Sequence, residues 1–233
     1  MNIVGFDLET TGANKQLDRP VQLSLVHSVD GAHRIVFNTR LNPMRPIAPE
    51  ASRVHGIYDR DVSGMPDYAI GLWTMAVSLE KLKPDYLVTM NGKGFDLPMT
   101  KACLGFDPFE GMGHFDILQM AFRYFPHLER RKLSDLYAHF VGEDLTGAHD
   151  ATVDVVASLK VFTKMKAQIG MSTDALLAEL NTPKPYSVIP FGKYAGTLID
   201  EMPVGWAKFM KRSDDLSPDL EATVDYILSK NNG

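Results

Sequence analysis

The stretch F-D-L-E-T-T-G, Phe6 to Gly12, ends the first apolar run of the chain and carries two carboxylates two residues apart. Side chains alternate faces along a strand, so Asp7 and Glu9 point one way while Phe6 and Leu8 point the other. A buried carboxylate without compensation costs several kcal/mol. Alone, the pair reads equally well as a solvated strand end or as part of a metal site.

Outward from this stretch, Ile3 to Glu9 predicts a strand, Val21 to Val29 a second and Ile35 to Leu41 a third, with Asp30-Gly31 as a hairpin signal between the last two. A Pro-rich run from Asn42 to Pro49, a short helical segment through Val54 and the loop His55-Gly56-Ile57 follow. Asp67 to Leu82 has Ile70, Trp73 and Val77 at helical spacing and predicts an amphipathic helix. Tyr86 to Met90 reads as a buried strand ending in N-G-K-G-F-D, whose glycines permit a tight turn before a helix toward Leu104. Phe115 and Asp116 close another short strand, and Ile117 to Phe125 form a helix stopped before Pro126. Ser134 is the expected N-cap of a helix ending at Gly142, and a helix from about Asp150 to Ile169 closes the region. Strands followed by alternating strands and helices indicate an α/β domain with a mixed sheet.

This domain is expected to span residues 1–170, followed by a helix and Pro-rich linker over 171–185 that includes N-T-P-K-P. Residues 186–233 form a small C-terminal α+β module: a strand from Tyr186 to Phe191, the turn G-K-Y-A-G, a helix around Val204 to Lys211, and a last helix with Ser217 as N-cap and Pro218 at its first position.

The 233 residues carry a net charge of −5, which argues against a bulk polyanion-binding surface but not against a local groove or a metal bridging carboxylates to phosphate. Cys103 is the only cysteine, which excludes an intramolecular disulfide. Neither a signal-peptide pattern nor a run near the roughly 20 apolar residues of a membrane span is present. The expected setting is the cytoplasm of a bacterium or phage-infected cell, with no membrane partner.

More carboxylates are available to join Asp7 and Glu9: Asp96 after the Gly-rich turn and Asp154 on the late helix. Four gathered at one spot would repel unless divalent cations stood between them, and oxygen-only ligation selects hard ions. His149 precedes Asp154 by five residues, a separation of about 140° on a helix. It therefore belongs in the loop before the helix, where an imidazole beside metals suits a general base.

F-D-L-E-T-T-G, N-G-K-G-F-D and H-D-A-T-V-D, in this order over residues 3–165, resemble the three exonuclease motifs of the DnaQ-like superfamily, in its DEDDh branch. In the tail, F-G-K-Y-A-G, Trp206 and L-S-P-D-L-E resemble the exodeoxyribonuclease X group of that superfamily. The resemblance implies a ribonuclease H-like mixed sheet flanked by helices, and a 3′–5′ exonuclease that releases nucleoside 5′-monophosphates from nucleic acid with a free 3′ end, DNA first. It makes Asp7, Glu9, Asp96 and Asp154 ligands of two Mg²⁺ or Mn²⁺ ions and His149 the base. It further implies that Thr10 and Thr11 meet the terminal nucleotide, that His55 and Ile57 flank its sugar and base, and that Asn91 and Phe95 support the strand. An RNA-trimming enzyme and an idle nucleic-acid-binding module are the alternatives.

Other features carry blander expectations. E-R-R-K, Glu129 to Lys132, reads as a solvated turn, and Lys160, Lys164 and Lys166 as an exposed helix face. Trp206 and Phe209 are expected in the core of the tail. G-K-Y-A-G is a tight hairpin, or a secondary nucleic-acid contact through Lys193 and Tyr194.

Overall fold

A computed structural model describes residues 1–213 and 216–230; the end of the expected 186–233 module, residues 231–233, lies outside the described residues, as do 214–215. The chain divides into two compact units, Met1–Ile117 with Lys132–Gln168, and Leu118–Arg131 with Ile169–Gly233. Residues 118–131, expected within the first domain, thus group with the second unit.

In the first unit, β1 (Asn2–Thr10), β2 (Pro20–Val29) and β3 (Ala32–Arg40) form an antiparallel meander. Asp30 and Gly31 take φ of 50° and 85°, the left-handed pair that a two-residue hairpin turn of this hand requires. Helices α1 (Pro49–His55), α2 (Asp59–Val62) and α3 (Tyr68–Leu82) lead to β4 (Tyr86–Thr89), which pairs parallel to β1. After α4 (Asp96–Leu104), β5 (Gly113–Asp116) pairs parallel to β4. The described residues so form a five-stranded mixed sheet in the order β3-β2-β1-β4-β5.

The alternation of β1 separates two environments. Val4, Phe6 and Leu8 join Leu23, Leu25, Leu72, Met75 and Leu79 in a buried cluster against α3. Gly5, Asp7 and Glu9 belong to the opposite side. There a Cβ on Gly5 would stand 2.6 Å from Cγ1 of Val155, so only glycine lets the late helix lie this close to β1. The β1–β2 register shifts between Glu9 and Thr10, which ends the regular ladder at the carboxylates.

Helix α3 buries a different stripe from the expected one. Gly71, Leu72, Met75 and Leu79 face inward, while Ile70 and Trp73 are 63% and 58% exposed. The helix is apolar on more than one face, so spacing alone did not select the buried side; Trp73 instead packs edge-on against Phe106, ring centroids 5.6 Å apart. Helix α5 (Ile117–Tyr124) begins in the first unit and continues into the second. Helix α6 (Leu133–Val141) starts one residue before the expected cap: Lys132 holds the N-cap position and no side chain caps there. Helix α7 (Ala151–Ile169) follows, with Lys160 and Lys164 exposed and Lys166 half-buried.

The second unit holds α8 (Thr173–Asn181), α9 (Val204–Met210) and α10 (Pro218–Lys230). Ser172 Oγ accepts the Ala175 N–H at the start of α8, and Ser217 precedes Pro218 at the start of α10 as expected. Ile189, Met202, Ala207, Val224 and Ile227 form the core, with Trp206 packed against it. Phe209 does not join it and is 68% exposed. The expected strand from Tyr186 to Phe191 reduces to one antiparallel bridge, Val188 to Leu198, because Pro190 has no N–H to extend a ladder and Gly192–Tyr194 turn as a 3₁₀ segment. Arg123 and Asp219, 7% and 3% exposed, make a buried ion pair, and Gln119 Nε2 also donates to Asp219 Oδ2 at 3.1 Å. In E-R-R-K, Arg131 is not solvated as expected; its guanidinium lies 4.7 Å from the Phe122 ring centroid. Among the described residues no helix is long and apolar enough to cross a membrane.

Candidate active site

The carboxylates of the first unit reach one place by three different routes. Asp7 and Glu9 come from the end of β1. Asp96, 4% exposed, is the first residue of α4, presented by the Gly-rich turn after β4. Asp154 sits in the first turn of α7, the helix that Gly5 admits onto the sheet. His149 lies outside that helix, in the loop before it, as its spacing from Asp154 requires. One ligand atom from each of Glu9, His149 and Asp154 lies within 4.8 Å of the others.

The electrostatics record the convergence. Burial, followed by repulsion from Asp96, Glu9, Asp154 and Asp150, holds the Asp7 carboxyl well above its ordinary value of 3.8. Burial and then Asp154, Asp96 and Asp150 push Glu9 up to about 8. Asp96 is pushed up to about 7, mainly by burial, against opposing hydrogen bonds from the backbone at Asp96 and Leu8. Asp154 is also raised, chiefly by burial, while the His149 N–H that it accepts pulls the other way. Without a counter-charge such a cluster favours protons, and a cation placed among the carboxylates would relieve their repulsion. A second sign is Oδ1 of Asp154, buried with no hydrogen-bond partner while Oδ2 accepts the His149 N–H at 3.1 Å. The donor set is carboxylate oxygen with one adjacent imidazole, which fits hard divalent ions.

The expected substrate-contacting residues divide. Thr10 and Thr11 are buried, and their hydroxyls are engaged internally: Thr10 donates to the Gly12 carbonyl at 2.8 Å and Thr11 to Asp18 Oδ1 at 2.7 Å. His55 Nδ1 accepts the Ile57 N–H, so Nε2 carries the proton and donates to the Thr10 carbonyl at 3.1 Å. Burial lowers the His55 pKa, in keeping with this neutral tautomer. Ile57 is 2% exposed and packs with Val21, Ile47 and Val62. Asn91 is exposed at φ 63°, and Phe95 is half-buried just before α4. Lys193 and Tyr194 lie in the second unit, where the Lys193 ammonium stands 5.6 Å from the Tyr194 ring centroid and Tyr194 packs on the core.

Two supporting acids were not singled out from the sequence. Asp116, 3% exposed at the end of β5, accepts the N–H groups of Asn91 (3.2 Å) and Lys93 (3.0 Å), which fixes the turn that delivers Asp96. That turn is also tight at Gly92, where a Cβ would meet Thr89 Oγ1 at 2.4 Å. Asp150 caps α7 through Oδ1, which accepts the N–H groups of Thr152 and Val153. An aspartate directly before a helical run is an N-cap signal, so Asp150 was discoverable; Asp116 acts through a register between strands that no local pattern displays.

The family model for exonucleases of the RNase T type matches residues 4–162, which includes all three routes into the acidic cluster. The chain belongs to this exonuclease family. Within it, the chain is 26% identical over 166 residues to the DNA polymerase III subunit epsilon of Treponema pallidum (strain Nichols), covering 70% of this chain and 75% of that one. The fold is similar to that of exonuclease X solved with a 5′-overhanging duplex DNA, with TM-score 0.57, 20% identity, and 77% of this chain and 99% of that chain covered. It is also similar to E. coli exonuclease I solved with a dA16 oligonucleotide, with TM-score 0.57, 19% identity, and 76% and 42% covered. The exonuclease thus has the ribonuclease H-like fold of the DnaQ-like superfamily that its three motifs resemble.

Proposed function

We propose that this exonuclease removes nucleotides from the 3′ end of DNA and releases nucleoside 5′-monophosphates, with Asp7, Glu9, Asp96 and Asp154 holding two Mg²⁺ or Mn²⁺ ions. The observation that carries this reading is the convergence of a buried carboxylate from α4 and half-buried ones from β1 and α7, with Glu9 raised to about 8 and Asp96 to about 7. The DNA found in the similar solved structures supports DNA as the partner.

Divalent ions held by these carboxylates would lower the pKa of a water and neutralise charge on a phosphate. The chain supplies the rest. Asp7 and Glu9, held on a central strand, fix the position of the cluster, and Asp116 holds the turn behind Asp96. His149, exposed and within 4.8 Å of the Glu9 and Asp154 oxygens, accepts the proton that the attacking water loses. The Thr11 carbonyl and hydroxyl are held by Ala48 N–H and Asp18, so the Thr10–Gly12 turn is a fixed floor that a nucleotide backbone can approach. The ordinary setting for such an enzyme is the cytoplasm, and its partner is a nucleic acid with a free 3′ end.

A digestion panel tests the reading: 3′-labelled and 5′-labelled single-stranded DNA, duplex DNA and RNA, each with Mg²⁺, Mn²⁺ or EDTA. Mononucleotide release from 3′-labelled DNA that requires the metal is expected. Faster loss from RNA would reassign the substrate, and binding without hydrolysis under every condition would leave a nucleic-acid-binding module.

A further inference from the structure

Gln22 stands directly opposite Glu9 in the β1–β2 register and is 5% exposed. Both ends of its amide are engaged. Nε2 donates to Asn38 Oδ1 and to Asp150 Oδ2, both at 3.1 Å, and Oε1 accepts the Ala151 N–H at 3.4 Å. These partners fix the orientation, since a carboxylate only accepts and a backbone N–H only donates. The amide therefore bridges the sheet to the loop and first residue of α7. The next residue back, His149, has φ of 69°, a left-handed conformation that a non-glycine residue keeps only where its surroundings hold it. The holding contacts are on either side: Asp154 Oδ2 accepts the His149 N–H, and Asp150 is gripped by Gln22 while it caps the helix.

We infer that Gln22 is a positioning residue for His149 and Asp154: its amide clamps Asp150 and Ala151 and so fixes the strained loop from which His149 reaches the acidic cluster. The inference rests on the proposed function for its catalytic consequence, but the clamp itself can be read without activity. A helix cap alone does not require it, because Asp150 Oδ1 already caps Thr152 and Val153. Gln22 adds a tie to the strand that carries its register partner Glu9. Carboxylate and imidazole are thereby referenced to one strand pair, and a small misplacement of a proton acceptor is costly in rate.

The test uses Gln22→Met, Asp150→Asn and the exchange pair Gln22→Glu with Asp150→Asn, which moves one negative charge across the contact and restores a donor opposite an acceptor. In metal-free protein, amide hydrogen exchange at His149 and Asp154 should speed up by about tenfold or more in each single variant while the β1 amides keep their rates. With metal and a 3′-labelled oligonucleotide, kcat should fall by about 10- to 100-fold at a KM changed less than about twofold, and the exchange pair should recover most of the loss. Unchanged exchange at His149 in a folded Gln22→Met or Asp150→Asn protein overturns the clamp. Unchanged kcat in folded single variants, or a loss that the exchange pair leaves in place, overturns the positioning role. An unsubstituted chain that hydrolyses nothing fails the proposed function instead, and the exchange rates still decide the clamp.

Discussion

Gly5 and Val155 meet so closely that a methyl group on Gly5 would stand 2.6 Å from Val155 Cγ1, two residues before Asp7 and one residue after Asp154. This contact sets the distance between the strand and the helix that share the acidic cluster. Gly5→Ala is expected to destabilise the protein by about 1–3 kcal/mol, as overpacking does, and to lower exonuclease activity in the remaining folded protein by spreading Asp7 from Asp154. Urea melts and rate measurements on the same preparation check both effects; a variant as stable and as active as the parent would show that α7 rides on β1 with slack.

The metal-free cluster should be a source of instability. Asp7→Asn removes a half-buried carboxylate that four neighbours repel, so it should raise metal-free stability by about 1–3 kcal/mol while abolishing activity. Denaturation in EDTA checks the sign. A less stable Asp7→Asn protein would mean that the carboxylate is compensated within the chain.

A pH dependence follows from the same groups. Glu9, raised to about 8, holds a proton in the folded state that the unfolded chain has released by then, so the folded state binds more protons between the two values. Its contribution to stability is present below its ordinary value of 4.5 and is lost as pH rises through about 8. The histidines with lowered values, His27, His33, His55 and His114, act in the opposite sense, but only below their ordinary value of 6.5. In EDTA, stability should therefore fall from pH 7 to pH 9, and saturating Mg²⁺ should flatten the slope. A rise over that interval without metal would contradict the assignment.

In the second unit the consequential pair is Arg123 with Asp219. Asp219→Ala leaves a buried guanidinium without its counter-charge and should cost about 3–5 kcal/mol. Thermal melting that shows a loss below about 1 kcal/mol would mean that water reaches Arg123.

The parts of this molecule that local chemistry dictates were legible in the sequence: the alternation of F-D-L-E, the Asp30-Gly31 hairpin, the Gly-rich turn before Asp96, and the loop position of His149. Those set by tertiary packing were not. Helix α3 carries apolar residues on several faces, and only the sheet decides that Leu72 and Met75 are buried while Ile70 and Trp73 are exposed. Ile57 is apolar and two residues after His55, and a small cluster around Val21 and Ile47 buries it. Tyr186 to Phe191 has the composition of a strand but finds one bridge, and Phe209 has the composition of a core residue but faces outward. Gln22 and Asp116 act through contacts across the sheet and its loops, where sequence spacing carries no signal.

The central claim is that the carboxylates from β1, α4 and α7 form one metal-dependent nuclease centre, and Asp7→Ala tests it most directly. Release of nucleoside 5′-monophosphates from 3′-labelled DNA in Mg²⁺ should fall by at least about a thousandfold while the variant keeps its fold by circular dichroism and its melting transition. A folded Asp7→Ala protein that releases nucleotides at the parent's rate would contradict the account.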